Sequence, residues 1–315
     1  MRQSSSVAFR ASVLCFSGTT TEQKQTHFWE DGLLWIKNGK IQACGEASSV
    51  LQQLPANVRV ETCRHRLIIP GFVDTHTHFP QIDIIGSGGE TLLDWLNHYT
   101  FPAESRYQDT QYCHSSAQFF VQELLRNGIT TAAVFGSVHP QSVDAFFHVC
   151  QKLSLCMIAG KVLMDRHAPA QLCDTPESAY QQSHELIQRW HNQDRLRYAI
   201  TPRFAPTSSA LQLEMAGSLL SAHPDVYVHT HLSETKEEIQ WVKRLFPDAK
   251  DYLDVYEQAG LLGNTSLFAH AIHLTPRELK RLQETEAAVL HCPSSNLFLG
   301  SGLFARPPGP DQTSR

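Results

Sequence analysis

The chain has 315 residues, enough for one large domain or two smaller ones, and a net charge of −5 from 26 Lys and Arg against 31 Asp and Glu. Apolar residues make up 42% of the sequence and charged residues 18%, and no uncharged apolar run approaches the roughly 20 residues of a membrane helix, which argues against a disordered or membrane-spanning chain. Because no basic block is present, we expect no binding to a nucleic acid polymer, so any nucleic-acid connection should be a free base.

The cysteines and histidines indicate the compartment and the type of chemistry. Eight cysteines lie far apart without a C-x-x-C pair, which favours a reducing, cytosolic location. The first 18 residues are not expected to be a secretory signal, because Arg10 precedes the short apolar stretch 11–16 and no small-residue cleavage site follows. Seventeen histidines make metal or proton chemistry worth examining.

Residues 1–66 are predicted to form a small β domain, the N-terminal part of a composite β-sandwich. Short β segments run through this region, and the clearest, residues 33–37, is followed by Asn38-Gly39 and a second β segment. Asn-Gly between two such segments indicates a hairpin, since both central residues of a type I′ turn need positive φ.

From residue 67 onwards the pattern predicts repeated β/α units around a parallel sheet, because β-branched apolar runs alternate with segments of helical period. Three helices are marked by hydroxyl N-caps, first-turn prolines or a terminal glycine, at 111–127, 175–192 and 275–285. The predicted barrel covers residues 67–303, and an irregular Pro- and Gly-rich tail covers 304–315. Seven strand candidates result: 67–78, 130–136, 157–165, 198–204, 226–234, 265–273 and 287–296.

Reactive side chains lie at the ends of the strand candidates, where a β/α barrel places its active site. His76 and His78 end the first strand, and residues i and i+2 of a strand project to the same face, so both imidazoles can bind one metal. Further histidines come from the ends of the fifth, sixth and seventh strands: His229 and His231, His270, and His291.

This donor set suits Zn²⁺, one ion per chain, with Fe²⁺ or Mn²⁺ as alternatives. A bound metal lowers the pKa of water towards about 7 and so provides hydroxide at neutral pH. Glu234 lies three residues after His231 and is placed to take a proton from that water and pass it to a substrate.

These motifs resemble the amidohydrolase superfamily and, within it, the guanine deaminase family. The superfamily resemblance rests on four segments in the family's order: PGFVDTHTH (70–78), HTHLSE (229–234), AH (269–270) and HCPSSN (291–296). The narrower resemblance adds HTHFPQ (76–81), LLDWLNHYTFPAE (92–104), NGITT (127–131), GKVLMD (160–165), TPRF (201–204) and SNLFLGSGL (295–303). Residues 94–104 (DWLNHYTFPAE) are the most discriminating segment, and together the motifs span most of residues 30–304.

The resemblance implies an α/β fold of the (β/α)8 TIM-barrel type and hydrolysis of guanine to xanthine and ammonia. It implies Glu234 and His270 as catalytic residues. It also implies metal ligands at His76, His78, His231 and His270, and a guanine pocket lined by Gln81, Arg203, Phe204 and His231. Full-length relatives suggest a homodimer, with no membrane or nucleic acid partner.

The residue types fit a purine pocket. Arg203 is a fixed fork of donors suited to purine carbonyl and ring-nitrogen acceptors, Gln81 offers a donor and an acceptor, and Phe204 supplies an apolar wall.

Other residues near the motifs have simpler interpretations. His229 is expected to be a packed neighbour of the site, and His291 is expected to be either a neutral donor beside it or a satisfied side chain near the strand end. His273 is expected at the surface and Cys292 as a small buried apolar group, whereas Asp165 is expected either to orient a substrate loop or to lie in a turn or helix cap.

The resemblance ends after about residue 303. Members of the family carry a last metal-proximal Asp on the eighth strand, usually in Gly-Thr-Asp or Gly-Ser-Asp, whereas the only carboxylate side chain after residue 286 here is Asp311 in a proline-rich tail. We therefore expect an incomplete barrel of seven strands with weak or no activity. Two alternatives remain open: another amidohydrolase deaminase, acting on an adenine-, cytosine- or triazine-type substrate, and a non-catalytic truncated isoform acting as a binding or regulatory protein.

Overall fold

The computed structural model describes residues 6–18, 24–88 and 92–304. The chain forms two compact units, Met1–Gly71 and Phe72–Arg315. The boundary predicted after residue 66 falls inside a strand that continues to Ile68, just before the Pro70-Gly71 break. Most of the predicted tail, and Asp311 with it, lies outside the described residues.

The first unit is a four-stranded sheet in the order β3-β2-β1-β4. Its strands pair antiparallel except for β1 and β4, which are parallel. The predicted hairpin joins β2 to β3, and Asn38 and Gly39 have φ values of 53° and 73°, as the turn requires. The elements are β1 (Ser6–Ser17), β2 (Gln25–Lys37), β3 (Lys40–Glu46), α1 (Ala47–Leu51) and β4 (Arg59–Ile68).

The second unit is a nearly closed barrel of parallel strands in the order β5-β6-β7-β9-β10-β11-β12, in which the short β8 pairs with β9 beyond the end of β7. Each of the seven strand candidates overlaps a barrel strand, although β6, β7 and β9 begin one or two residues before their candidates. The strands are β5 (Phe72–His78), β6 (Ile129–Phe135), β7 (Cys156–Gly160), β8 (Val162–Leu163), β9 (Leu196–Pro202), β10 (Tyr227–Leu232), β11 (Ser266–His270) and β12 (Ala288–Leu290).

Helices connect the strands and cover the outside of the barrel. They are α2 (Leu92–Trp95), α3 (Phe101–Ser105), α4 (Thr110–Arg126), α5 (Pro140–Lys152), α6 (Pro176–Trp190), α7 (Ala210–Ala222), α8 (Lys236–Leu245), α9 (Tyr252–Gln258), α10 (Pro276–Glu284) and α11 (Pro293–Phe298). No helix among the described residues is both long and apolar enough to cross a membrane.

The three helices predicted from their caps are confirmed as α4, α6 and α10. Thr175 and Thr275 each accept a hydrogen bond from a backbone N–H in the first turn, and a proline follows each of them. These caps provide acceptors for backbone N–H groups that have no partner within the helix. They also fix the residue at which each helix begins and the preceding loop ends.

The barrel interior is packed closely enough to require glycine at one strand end. A Cβ added to Gly160 would lie 1.7 Å from the carbonyl oxygen of Ala199, so β7 and β9 approach each other only because this side chain is absent. Among the described strands, β5 and β12 form the two edges and show no pairing with each other.

Residues 92–104, which include the discriminating segment, form a helix that is interrupted by one wider turn. The turn Leu96–Thr100 is π-helical, and the N–H of Phe101 donates to the carbonyl oxygen of Leu96, five residues earlier. Pro102 follows, and its ring has no N–H and clashes with the carbonyl four residues before it, which favours such a local widening. The wider turn sets the register of α3.

Candidate active site

Four histidines from three barrel strands meet at the carboxyl ends of β5, β10 and β11. His78 Nε2 lies 3.3 Å from His76 Nε2 and 3.1 Å from His231 Nε2. The ring of His270 lies 5.3 Å from the rings of both His76 and His231, measured between centroids. The structure thus brings together all four of the histidines that were expected to bind metal.

The second nitrogen of each of three rings has its own partner. His231 Nδ1 lies 2.7 Å from the carbonyl oxygen of Arg203, and His270 Nδ1 lies 2.8 Å from Asn296 Oδ1. A carbonyl oxygen only accepts, so Nδ1 donates in both rings and each Nε2 keeps its lone pair. His76 Nδ1 lies 2.9 Å from His229 Nε2. Contacts of this kind fix the tautomer and orientation of imidazoles that bind metals.

The environment favours neutral imidazoles. Burial lowers the pKa of His76, His78, His231 and His270, and the neighbouring imidazoles lower the pKa of the first three further. Neutral imidazole is the form that coordinates a metal, so the donor set fits Zn²⁺, Fe²⁺ or Mn²⁺. The nitrogens of His76, His78 and His231 all lie within 4.8 Å of one another.

The backbone at this end of the barrel adopts conformations that non-glycine residues rarely take. Ser233, His270 and Ala271 have φ values of 49°, 67° and 48°. Each costs on the order of 1 kcal/mol or more, so surrounding contacts must hold it, such as the N–H of Ala271 donating to the carbonyl oxygen of Leu232 at 2.8 Å. Strain of this kind concentrates at functional sites.

Glu234 lies buried beside the histidines. Its Oε2 is 3.5 Å from His270 Nε2, and its Oε1 accepts a hydrogen bond of 3.2 Å from Ser301 Oγ. Burial raises the pKa of Glu234 to about 7, against the lowering effect of the Ser301 hydrogen bond and the Arg203 charge. A carboxyl group with this pKa both accepts and releases protons near neutral pH.

A second buried carboxyl, Glu238, holds the backbone of Glu234 in place. Its Oε2 accepts from the backbone N–H groups of Glu234 and Thr235, at 2.9 and 3.2 Å. Its Oε1 accepts from the hydroxyl of Tyr252 at 2.7 Å. The beginning of α8 is thus tied to the end of β10, which fixes the position of the proton-exchanging group.

The four histidines line a cavity of about 220 Å³. Gln81, Arg203 and Phe204, which were expected to contact a substrate, all line it. The complete lining is His76, Thr77, His78, Gln81, Leu92, Trp95, Leu96, Arg203, Phe204, His231, Glu234, His270, Ser295 and Leu299. One cavity therefore joins an imidazole cluster, a carboxyl that titrates near neutrality, and a wall with donor, acceptor and apolar groups.

Sequence reasoning missed Glu104, the last residue of the discriminating segment. Its side chain is fully buried, and it accepts hydrogen bonds from Arg203 and Gln81. The available signal was a carboxylate directly after the apolar run Phe101-Pro102-Ala103, because a carboxylate that such a run buries requires a cationic or donor partner.

Three of the residues given simpler interpretations lie away from the cavity. Asp165 accepts hydrogen bonds from the backbone and hydroxyl of Ser209, the N-cap residue of α7, as expected for a turn or cap. His291 is exposed and packs on Phe304, so it is not a donor to the site. His273 is partly buried rather than fully exposed, because its Nε2 contacts the carbonyl oxygen of Ser301.

His229 and Cys292 lie against the histidine cluster. His229 is fully buried behind His76, as expected for a packed neighbour. Cys292 is also buried, and burial raises the pKa of its thiol to about 11, in line with an unreactive group. Its Sγ nevertheless lies within 4.8 Å of ring nitrogens of His76 and His270.

Comparison with known proteins gives one consistent result. Residues 67–312 match the model of the amidohydrolase family. The chain is 57% identical over 277 residues to the guanine deaminase of Escherichia coli (strain K12), which covers 88% of this chain and 63% of that protein. This chain therefore spans a little under two thirds of the length of that relative.

Solved structures give the same picture. The structure of E. coli guanine deaminase aligns with a TM-score of 0.92 and 53% identity, covering 95% of this chain and 70% of that one. The guanine deaminase of C. acetobutylicum, solved with guanine bound in its active site, aligns with a TM-score of 0.85 and 30% identity, covering 95% of this chain and 70% of that one.

Proposed function

Since the chain belongs to the amidohydrolase family, we propose that it carries the catalytic barrel of a guanine deaminase, which hydrolyses guanine to xanthine and ammonia. The observation that carries the proposal is one cavity, which is lined by four neutral histidines, by Glu234 and by Gln81, Arg203 and Phe204. We call the last three residues the base wall. The histidine and carboxyl groups provide the hydrolytic chemistry, and the base wall binds a planar base that has both hydrogen-bond donors and acceptors.

The proposed metal ligands are His76, His78, His231 and His270, holding one Zn²⁺, with Fe²⁺ or Mn²⁺ as alternatives. When bound, such an ion activates water as a nucleophile at neutral pH. The chain's own contribution is to keep the four rings neutral by burial and to orient two of them through Arg203 and Asn296.

Glu234 moves the protons. Water adds to C2 of guanine, the carbon that bears the amino group, and ammonia leaves from the same carbon. Glu234 takes a proton from the water and delivers it to the base, which a carboxyl with a pKa of about 7 does with little cost in either direction. His270 lies 3.5 Å from its Oε2 and limits the orientations that the carboxyl can take.

We assign the recognition of guanine to the base wall of the cavity. Arg203 donates to purine acceptors, Gln81 hydrogen-bonds an edge of the base, and Phe204 packs against its apolar surface. Phe204 is itself held by Trp241, whose ring lies 6.0 Å away in a T-shaped arrangement.

The test is to incubate the purified, zinc-reconstituted chain with guanine and measure xanthine and ammonia. We expect the two products in equal amounts, at the low rate that the sequence predicts, and we expect Glu234→Gln to lower both by at least about 10²-fold. Absence of xanthine, or undiminished production by Glu234→Gln, would overturn the proposal. Deamination of adenine, cytosine or a triazine in place of guanine supports the other amidohydrolase alternative. A metal content below about one tenth of an ion per chain supports the non-catalytic one.

A cytosolic location and a homodimer stay predictions from the sequence. Size-exclusion chromatography with light scattering measures the second directly.

A further inference from the structure

We propose that Glu104 is a positioning residue that sets which base the cavity accepts, a proposal that rests on the proposed deamination of guanine. Glu104 Oε1 accepts from Gln81 Nε2 at 3.2 Å, and its Oε2 accepts from a terminal guanidinium nitrogen of Arg203 at 2.7 Å. One carboxylate thus uses both of its oxygens on the two polar side chains of the base-binding wall.

Glu104 acts through these two residues and not by contact with the base. Its side chain is completely buried, and it is not among the residues that line the cavity. The same helix, α3, makes a second contact with the wall, because the guanidinium of Arg203 lies 5.6 Å from the ring centroid of Phe101. The guanidinium is therefore held by a charge and by a ring, both from the segment that begins after the π-helical turn.

The carboxylate dictates the polarity of the Gln81 amide. An ionised carboxylate only accepts hydrogen bonds, so Gln81 must turn its NH₂ group towards Glu104, which leaves its Oε1 as the acceptor for a ligand. Arg203 has five N–H donors and gives one of them to Glu104, so its remaining donors stay available to the cavity. The wall therefore presents one acceptor beside a fork of donors.

This pattern selects a class of base. Guanine has N–H donors at N1 and at its 2-amino group, together with acceptors at O6 and the ring nitrogens. Adenine has a bare acceptor at N1 and no carbonyl oxygen. An acceptor from Gln81 that faces N1 of adenine would meet another acceptor, and a buried polar mismatch of this type is costly. Glu104 therefore favours lactam-type bases over aminopurines that lack a carbonyl group.

The decisive variant is Glu104→Gln, which keeps the shape and replaces a pure acceptor with a group that both donates and accepts. The amide of Gln81 is then free to turn, and Arg203 loses its countercharge. We expect KM for guanine to rise by about tenfold or more, and the selectivity for guanine over adenine to fall by at least about tenfold. Selectivity is measured as the ratio of the adenine inhibition constant to the guanine KM, and by equilibrium binding of both bases.

Asp174→Asn provides a matched control. Asp174 forms a buried ion pair of 2.5 Å with Lys161 in the same unit, but neither residue lines the cavity. This variant also removes a buried charge partner, so it reproduces the general cost to stability. We expect it to leave the selectivity ratio within about twofold of the parent value.

A double variant keeps the proposal testable if Glu104→Gln folds poorly. Combining Glu104→Gln with Gln81→Glu exchanges the two groups and preserves the total charge, so that a carboxylate oxygen again faces the cavity. We expect selectivity for guanine to recover to within about threefold of the parent.

Three outcomes overturn the proposal: an unchanged ratio in Glu104→Gln, an equal change in Asp174→Asn, or no recovery in a folded double variant. Because the binding measurement needs no turnover, it separates this proposal from the proposed function. A parent chain that binds guanine selectively without deaminating it contradicts only the proposed function. A parent chain that binds neither base contradicts both.

Discussion

The two walls of the cavity are assembled by different means. The histidine wall (His76, His78, His231, His270 and, two residues after β10, Glu234) lies at strand ends, and the spacing along β5 is enough to place two of its rings side by side. The base wall (Gln81, Arg203 and Phe204) is held by Glu104, whose partners Gln81 and Arg203 lie 23 and 99 positions away in the sequence. The barrel strands thus supply the reactive groups, whereas recognition depends on a connecting helical segment and can change without altering the strands.

The largest expected effect tests whether the histidine wall performs the chemistry. Glu234→Gln should lower kcat by about 10²- to 10⁴-fold, because the side chain can no longer exchange a proton with water and base. Guanine affinity and metal content should stay at parent values, since the base wall and the histidines are unchanged. Steady-state kinetics measure kcat, and equilibrium binding measures the affinity for guanine. A loss of guanine affinity parallel to the loss of kcat would contradict the separate roles of the two walls.

Metal binding should be a property of the histidine wall alone. A metal present at about 1,000 times its Kd raises the free energy of unfolding by about 4 kcal/mol, and His231→Ala should remove most of this gain. His291→Ala, at an exposed histidine, serves as the control and should retain it. Denaturant unfolding with and without a chelator measures the gain in the free energy of unfolding for each variant. Equal losses of this gain in the two variants would contradict the assignment of the metal ligands.

The pH dependence of stability tests how Glu238 holds the histidine wall. Burial, with the nearby Glu234 charge, raises the pKa of Glu238 from 4.5 to about 7 in the folded state. The stabilising contribution of the protonated carboxyl is therefore complete below pH 4.5 and is lost as the pH rises through about 7. The loss is on the order of 3 kcal/mol, and Glu238→Gln should avoid it.

Unfolding of the metal-free protein between pH 5 and pH 8.5 measures this effect as the difference between Glu238→Gln and the parent. The difference should grow up to about pH 7 and then level off. Glu237→Gln, at the exposed neighbouring position, removes the same formal charge and should show no such growth.

The smallest expected effect sharpens the description of the base wall. Arg203→Lys keeps the positive charge beside Glu104 but replaces a planar fork with a single ammonium group. The loss of directed hydrogen bonds should cost about 2 kcal/mol, or about 30-fold in KM for guanine, with kcat changed much less. A fall in metal content in this variant would show that the two walls are not separable.

The difference between the walls also explains what the sequence could predict. His76 and His78 are visible because strand alternation is local, and the Asn38-Gly39 hairpin and the threonine-capped helices follow from equally local rules. The four histidines were expected to lie together because strands of a parallel barrel all end at one face, and the structure brings them together.

The role of Glu104 could not be predicted in this way. Its burial depends on a helical segment folding over the barrel mouth, and its partners lie 23 and 99 residues away. The contact between His229 and His76, 153 residues apart, has the same origin. Local periodicity has no information on such distances, so the identity of a partner appears only when the chain is folded.

Arg203 connects the two walls. Its side chain pairs with Glu104, while its backbone carbonyl accepts from His231 Nδ1 at 2.7 Å. Ligands that bind on its two sides are therefore subject to thermodynamic linkage: whatever factor a bound base adds to the affinity for the ion, the ion must add to the affinity for the base. A titration of either ligand in the presence and absence of the other measures the coupling free energy between the two sites.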